Sequence, residues 1–369
     1  MKRKSVFNIL FILAPIALLI IIIVNLYFYF KFKTVTYYKC PEKPHAELLN
    51  SVLSNNRILR DDKNYNFFMP CGYNFVEDEL ADMKVPKSKF IFALVGCDQI
   101  VSKNNLWEVL QNKFGREYAS KIMPESFIIE DPKEYAMAKE RVKGGVVLIS
   151  KKNLQRKLGL KLVFNEKDLE DAKKEDFKVA QVFLTNARTI KDRKMNLRVY
   201  YVIVKKNNDI RFYVNTNGKV LYTKDKTSGP IKFESHITSF QMDPDLYEKE
   251  DLPHSFRDLH KFLGARDYKT IWKKIMMKLK LFSDAVYPVF NDDKFKDKTC
   301  FQLFGMDVIL DGNEPYILEV NKGPDMIPKC KKDEELKKNI YEEVFNLVGL
   351  IHRPFKSNNF IPIYSTKYT

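Results

Sequence analysis

Phe301-Gln302-Leu303-Phe304-Gly305-Met306-Asp307-Val308-Ile309-Leu310, followed by Pro315-Tyr316-Ile317-Leu318-Glu319-Val320-Asn321-Lys322-Gly323-Pro324, is the stretch on which the fold turns. Both halves are apolar runs of strand length with isolated polar residues inside them. As adjacent antiparallel strands they bring Asp307 near Glu319. Asn321, two residues further on, shares the Glu319 face because strand side chains alternate. Carboxylate and carboxamide oxygens on one face form a hard-oxygen site suited to Mg²⁺, an ion that also takes phosphate oxygens. The plain alternative is a hairpin whose polar residues face water. The apolar flanks argue against it, since both faces are then expected to be covered, and a buried acid needs a partner such as a cation.

Two upstream segments carry cationic groups into strands. In Lys194-Met195-Asn196-Leu197-Arg198-Val199-Tyr200 the alternation puts Lys194, Asn196 and Arg198 on one side. Such a row clamps phosphate or carboxylate, or else protects an edge strand with charge. Val147-Leu148-Ile149-Ser150-Lys151-Lys152 ends a buried strand on a lysine placed to reach a nucleotide phosphate. Further strands are expected over 90–95, 178–184 and 210–214. Helices are expected over 104–114, over the stripe Ile271, Ile275, Leu279, Phe282 and Val286, and from 334 to about 351. The pattern is α+β.

The chain has 369 residues and a net charge of +16, with 45% hydrophobic and 30% charged types, the mix of a folded protein and not a disordered one. Five scattered cysteines, odd in number and without a CxxC pair, argue against a disulfide scaffold and a structural zinc site. No RNP, helix-turn-helix or finger pattern supports a nucleic-acid partner. Lysine-rich runs such as Lys273-Lys274, Lys278-Leu279-Lys280 and Lys329–Lys332 read first as solvated faces, and among functional options as a surface for an acidic peptide. At the N-terminus, Met1-Lys2-Arg3-Lys4 precedes an uncharged stretch, residues 5–30, that spans about 39 Å as a helix and exceeds a hydrocarbon core of roughly 30 Å. It is expected to be an uncleaved single-pass membrane anchor, with residues 31–60 as a linker, lobes over 61–140, 141–240 and 241–369, and the metal site in the last.

Six short motifs in order resemble the tubulin–tyrosine ligase-like family. They are Leu148-Ile149-Ser150-Lys151, Ala180-Gln181-Val182-Phe183-Leu184, Lys194-Met195-Asn196-Leu197-Arg198, His236-Ile237-Thr238-Ser239, Phe304-Gly305-Met306-Asp307 and Leu318-Glu319-Val320-Asn321. The resemblance implies an ATP-grasp-like multi-lobed domain, here behind one N-terminal transmembrane helix. It implies ATP and Mg²⁺ as cofactors, with phosphate contacts from Lys151 and Lys194. Backbone contacts to adenine would come from Gln181, Val182, Phe183 and Leu184, and Mg²⁺ ligands from Asp307, Glu319 and Asn321. Arg198 and Lys194 would be catalytic, Arg198 holding the acceptor carboxylate or its acyl phosphate. The implied reaction joins a small amino acid to a carboxylate of an acidic protein or peptide, a tubulin-like tail being one such acceptor. Three departures stand out: Asn196 where the family has aspartate, Tyr222 where an arginine follows the glycine turn, and Ser239 in place of asparagine. They keep open a second reading, a membrane-tethered nucleotide-binding member without turnover.

Overall fold

The computed structural model describes residues 15–16, 18–24, 35–38, 47–70, 80, 88–153, 159–207, 209–227, 229–238, 245–291, 294–352 and 357–365. The strands in chain order are β1 Thr36–Tyr37, β2 Leu59–Arg60, β3 Phe67–Phe68, β4 Phe90–Ile91, β5 Ser126–Ile128, β6 Leu148–Lys151, β7 Leu160–Val163 and β8 Val179–Val182. They continue with β9 Thr189–Ile190, β10 Arg193–Lys206, β11 Asp209–Asn215, β12 Lys219–Tyr222, β13 Thr299–Asp311, β14 Glu314–Asn321 and β15 Phe360–Ser365. Eleven of them form one sheet, ordered β15-β11-β10-β13-β4-β3-β1-β2, with β12 and β9 on β10 and β14 on β13. A second sheet runs β5-β8-β6-β7. The smaller sheet draws β5 from before residue 140 and its other strands from after it.

The long antiparallel pair β10 and β13 organises everything else. Met195, Leu197, Val199, Tyr201 and Ile203 point to one face with Phe304, Met306, Val308 and Leu310 of β13, and all lie in the largest core cluster. That face is covered by the helix Ala265–Val286, whose buried stripe is Ile271, Ile275, Leu279, Phe282 and Val286. Burying one such side chain is worth roughly 1.5–3 kcal/mol, so the stripe holds this lysine-rich helix in place. Its lysines are not all free surface: Lys274 and Lys278 both pair with Glu314, at 2.9 and 2.7 Å. The opposite face of β10 divides in two. Tyr200 and Val202 pack with Phe301, Leu303, Leu336, Ile340 and Val344 beneath the helix Lys331–Val348. Lys194, Asn196 and Arg198 occupy the other end, which that helix leaves to the site.

A buried ion triad fastens this covering helix. Asp333, fully buried, accepts from Lys219 of β12 at 2.8 Å and from Lys337 at 2.9 Å, and also from the Lys329 backbone N–H at 3.0 Å. Burial pushes the Asp333 carboxyl up, and the two ammonium groups outweigh it to leave the carboxyl low. Asp333→Ala strands both lysines in the interior, and the expected loss is about 3–5 kcal/mol, read as a lower urea midpoint at unchanged slope. An unchanged midpoint refutes the triad as a fastening.

The membrane anchor expected over 5–30 is corrected. Within it, residues 15–16 and 18–24 are helical, with Ile16 and Leu18 through Val24 exposed; the rest of the stretch lies outside the described residues. Among the described residues no helix is long and apolar enough to cross a membrane. The single-pass localisation and the membrane partner drawn from that stretch fall with it.

Candidate active site

The site lies between the two sheets. On one face of the small sheet, helices Pro132–Lys143 and Glu166–Lys174 cover a core of Phe127, Leu148, Leu169 and Ala180. On its other face Ile149 clusters with Phe183 and Ile237. Lys151, at the end of β6, has an almost fully buried side chain. Its Nζ donates to Gln181 Oε1 at 2.7 Å and reaches across to the Leu318 carbonyl of the large sheet at 3.5 Å. Gln181 in turn donates to Ser126 Oγ at 3.0 Å, so a buried polar chain fixes the lysine.

From the large sheet comes one registered rung of three residues. Arg198 stands opposite Asp307, and Asp307 opposite Glu319. The Arg198 guanidinium grips Asp307 through Nε at 2.5 Å and Nη2 at 3.2 Å, a forked pair of charge-assisted bonds. Asn321 Nδ2 donates to Glu319 Oε1 at 3.2 Å. A β-bulge at Leu318 makes this possible: Val308 pairs with Ile317 and Asp307 with Glu319, leaving Leu318 as the extra residue. Without it, Ile317 and Glu319 would share a face; with it, Ile317 enters the core and Glu319 faces the site. Gly305 sits opposite Asn321, and a Cβ there would lie 2.8 Å from Pro324 Cβ and 3.0 Å from Arg198 Cδ. Only glycine lets the arginine pass.

Charge in this cluster is finely opposed. Burial pushes the Asp307 carboxyl above its ordinary range against the pull of Arg198, and the negative charge of Glu319 adds to the push. At Glu319 burial also pushes upward, but Lys103 and Lys151 outweigh it and hold the carboxyl low. Burial pushes the Lys151 and Lys194 ammonium groups down to about 8. Lys194 donates to the Leu184 carbonyl at 3.0 Å and lies over the Phe183 ring, 4.1 Å from its centroid. Asn196 Nδ2 donates to Thr238 Oγ1 at 2.8 Å, while its Oδ1 is buried without a partner.

The structure thus brings Lys151, Gln181, Arg198, Asp307, Glu319 and Asn321 together, with Lys194 on the same strand face as Arg198 but against Leu184 and Phe183. Two expectations change. The backbone N–H groups of Val182 and Phe183 bond the carbonyls of Glu125 and Val147, both within 3 Å, so an intact sheet withholds those two donors from a base. Tyr222 is not a site residue: Asn196 pairs with Leu221, which puts Leu221 on the site face and Tyr222 in the core, its hydroxyl on the Pro253 carbonyl. Register, not position in the motif, decides which residue faces the ligand. Ser239 lies outside the described residues.

Sequence reasoning missed Lys103, whose Nζ lies 3.6 Å from Glu319 Oε2, and the ion pair of Lys322 with Asp98 beside Asn321. A local signal for Lys103 existed. It opens the helix Lys103–Phe114, where the positive end of the helix dipole disfavours a cation, and a broken local rule points to a tertiary partner.

Among the described residues no group of three His, Cys, Asp or Glu side chains is placed to hold a metal. Two carboxylates and a carboxamide are nevertheless a donor set that fits Mg²⁺, which commonly takes one or two carboxylates and fills its remaining positions with phosphate oxygens and water.

A mixed α+β fold with lysines and paired carboxylates held between two sheets is consistent with an ATP-grasp-like ligase domain. The tubulin-tyrosine ligase family matches residues 82–359, well over half of the chain, and the chain belongs to that family. Members of the family are ATP-dependent carboxylate–amine ligases. Among its relatives, tubulin monoglutamylase TTLL4 of Mus musculus is 26% identical over 281 residues, 69% of this chain and 23% of that protein. Tubulin polyglutamylase ttll-4 of Caenorhabditis briggsae is 28% identical over 284 residues, 70% of this chain and 46% of the relative. A probable beta-tubulin polyglutamylase of Tetrahymena thermophila is 23% identical over 340 residues, 83% of this chain and 28% of the relative. The chain therefore spans less than half the length of each of these relatives.

Proposed function

We propose that this chain is an ATP- and Mg²⁺-dependent ligase that joins glutamate to a carboxylate on an acidic, tubulin-like protein tail. The single observation that carries the reading is the rung Arg198–Asp307–Glu319 beneath Lys151, a cation–carboxylate set facing one space from two sheets. The relatives' names supply glutamate and tubulin. Asn196 adds to this, since a neutral residue between Lys194 and Arg198 leaves that face more positive than the family's aspartate would, which favours an acidic amino acid.

In the proposed reaction an acceptor carboxylate oxygen attacks the terminal phosphorus of ATP, the bond to ADP breaks, and an acyl phosphate forms. The amine of the incoming amino acid then attacks the acyl carbon. The C–N bond forms, the C–O bond to phosphate breaks, phosphate leaves with the electron pair, and the amine loses a proton. Asp307, Glu319 and Asn321 would hold Mg²⁺, which when bound neutralises charge on the phosphates. Lys151, fixed by Gln181, and Lys194 present ammonium groups to the phosphates. Arg198, oriented by Asp307, supplies fixed positive charge for the acyl phosphate.

The test is ADP release by the full chain with an acidic tail peptide and glutamate, glycine or tyrosine. Glutamate is expected to support turnover and the neutral amino acids to do so poorly. Asn196→Asp is expected to raise turnover with glycine or tyrosine severalfold. The second reading, nucleotide binding without turnover, is favoured by the partnerless Asn196 Oδ1. It prevails if no amino acid gives ADP while nucleotide still binds.

The depressed lysines make nucleotide binding depend on pH. A lysine whose folded pKa is lowered opposes folding while charged, fully below about 8, and this opposition fades as pH rises from there toward 10.5. A bound phosphate reverses the preference and keeps the proton on. ATP affinity is therefore expected to be greatest below pH 8. It falls above that, approaching about tenfold per pH unit for each lysine. Calorimetry at pH 8.5 in buffers of different ionisation enthalpy should detect proton uptake on binding. A flat affinity from pH 7 to 9.5 contradicts the assignment.

A further inference from the structure

We infer that Lys103 is a positioning residue, the resident counter-ion of Glu319, and that a divalent cation entering the site displaces it. The inference rests on the metal-site reading above. Asp307 and Glu319 face each other on adjacent strands, and two like charges so placed need compensation. Each has its own cation, held differently. Arg198 lies in the same sheet as Asp307 and grips it through two short bonds, a geometry a guanidinium fork holds rigidly. Lys103 comes from another element and stands 3.6 Å from Glu319 Oε2, beyond hydrogen-bond length, on a flexible stem. The Lys103–Glu319 pair is thus held by charge without a hydrogen bond between the two, Glu319 Oε1 being bonded by Asn321 instead, and it is the pairing a metal can replace.

The lysine is held there against local preference. Its side chain is only 10% exposed, at a helix start where a cation is disfavoured. The surrounding turn is fixed at three points. The Lys103 backbone N–H donates to Asn153 Oδ1 at 3.0 Å, two residues beyond Lys151. Asn153 Nδ2 donates to Asn104 Oδ1 at 2.9 Å, and Asp98 pairs with Lys322 beside Asn321. One short segment, 98–105, therefore links the lysine strand of the small sheet to the acid hairpin of the large one.

The experiment uses the full chain without nucleotide and Mn²⁺ as the probe. Lys103→Met is expected to bind Mn²⁺ roughly tenfold more tightly than the parent, because a competing cation is gone. In EDTA it is expected to melt lower than the parent, with the difference closing when Mn²⁺ is added. Lys103→Arg should keep the EDTA stability. Should Lys103→Met fold poorly, the double variant with Glu319→Gln is expected to regain stability in EDTA, since neither charge then remains. Unchanged Mn²⁺ affinity in a folded Lys103→Met overturns the displacement. Additive effects of the two substitutions in EDTA overturn the pairing. A parent that binds no Mn²⁺ refutes the metal-site reading and the displacement together, while the EDTA cycle still decides whether Lys103 compensates Glu319.

Discussion

Glu319→Gln is expected to lower ATP-dependent ligation by roughly a hundredfold or more, because it removes one of two carboxylates in the proposed Mg²⁺ site, and even outer-shell losses at metal sites cost about 10–100-fold. The substitution keeps shape and the Asn321 contact but deletes the negative charge that Lys103 and Lys151 now stabilise. Relief of repulsion with Asp307 is opposed by loss of the partner charge of Lys103 and Lys151, so the melting temperature is expected to fall while the protein stays folded. Loss of activity in a variant that still folds and binds ATP therefore separates a chemical role from a structural one. ATP should still bind, with a weaker dependence on Mg²⁺ in calorimetric titrations. An unchanged rate of ADP formation removes Glu319 from the mechanism.

Arg198→Lys should cost about 10²–10³ in rate, the loss typical of a preorganised donor at a developing charge. Charge is conserved, so the effect isolates geometry: an ammonium cannot reproduce the forked grip on Asp307 at 2.5 and 3.2 Å. Gly305→Ala tests the same point without touching the arginine. Its new Cβ would approach Arg198 Cδ to 3.0 Å and the ring of Pro324 to 2.8 Å, and the ring cannot swing aside. Both variants are expected to retain ATP binding through Lys151 while turnover falls. Wild-type rates in Arg198→Lys would mean that the fork is structural.

The face shared by Lys194, Asn196 and Arg198 was legible because a strand alternates with period two whatever it pairs with. So was the pairing of the strands that carry Asp307 and Glu319, since consecutive apolar strands in a hairpin pair with each other. The helix Ala265–Val286 announced its buried side through the spacing of Ile271, Ile275 and Leu279. The apolar stretch at the N-terminus misled: hydropathy measures what a helix of that length would favour, and among the described residues no helix of spanning length is found.

Tyr222 and Leu221 show where local reading stops. Adjacent residues on a strand face opposite sides, so a shift of one in register exchanges a core residue for a site residue. Register here is set by pairing β12 with β10, not by the motif itself. The bulge at Leu318 obeys the same rule, restoring Glu319 to the site only because β13 runs alongside. Lys103 lies more than 200 residues before Glu319, and Gln181 reaches Lys151 from the neighbouring strand, 30 residues on in the chain. Sequence by itself determined the periodic facts, which faces are apolar and which residues alternate, because these follow from backbone geometry within a single element. Tertiary structure alone decided which charge answers which, because register and ion pairing are settled by contacts between segments far apart in the chain.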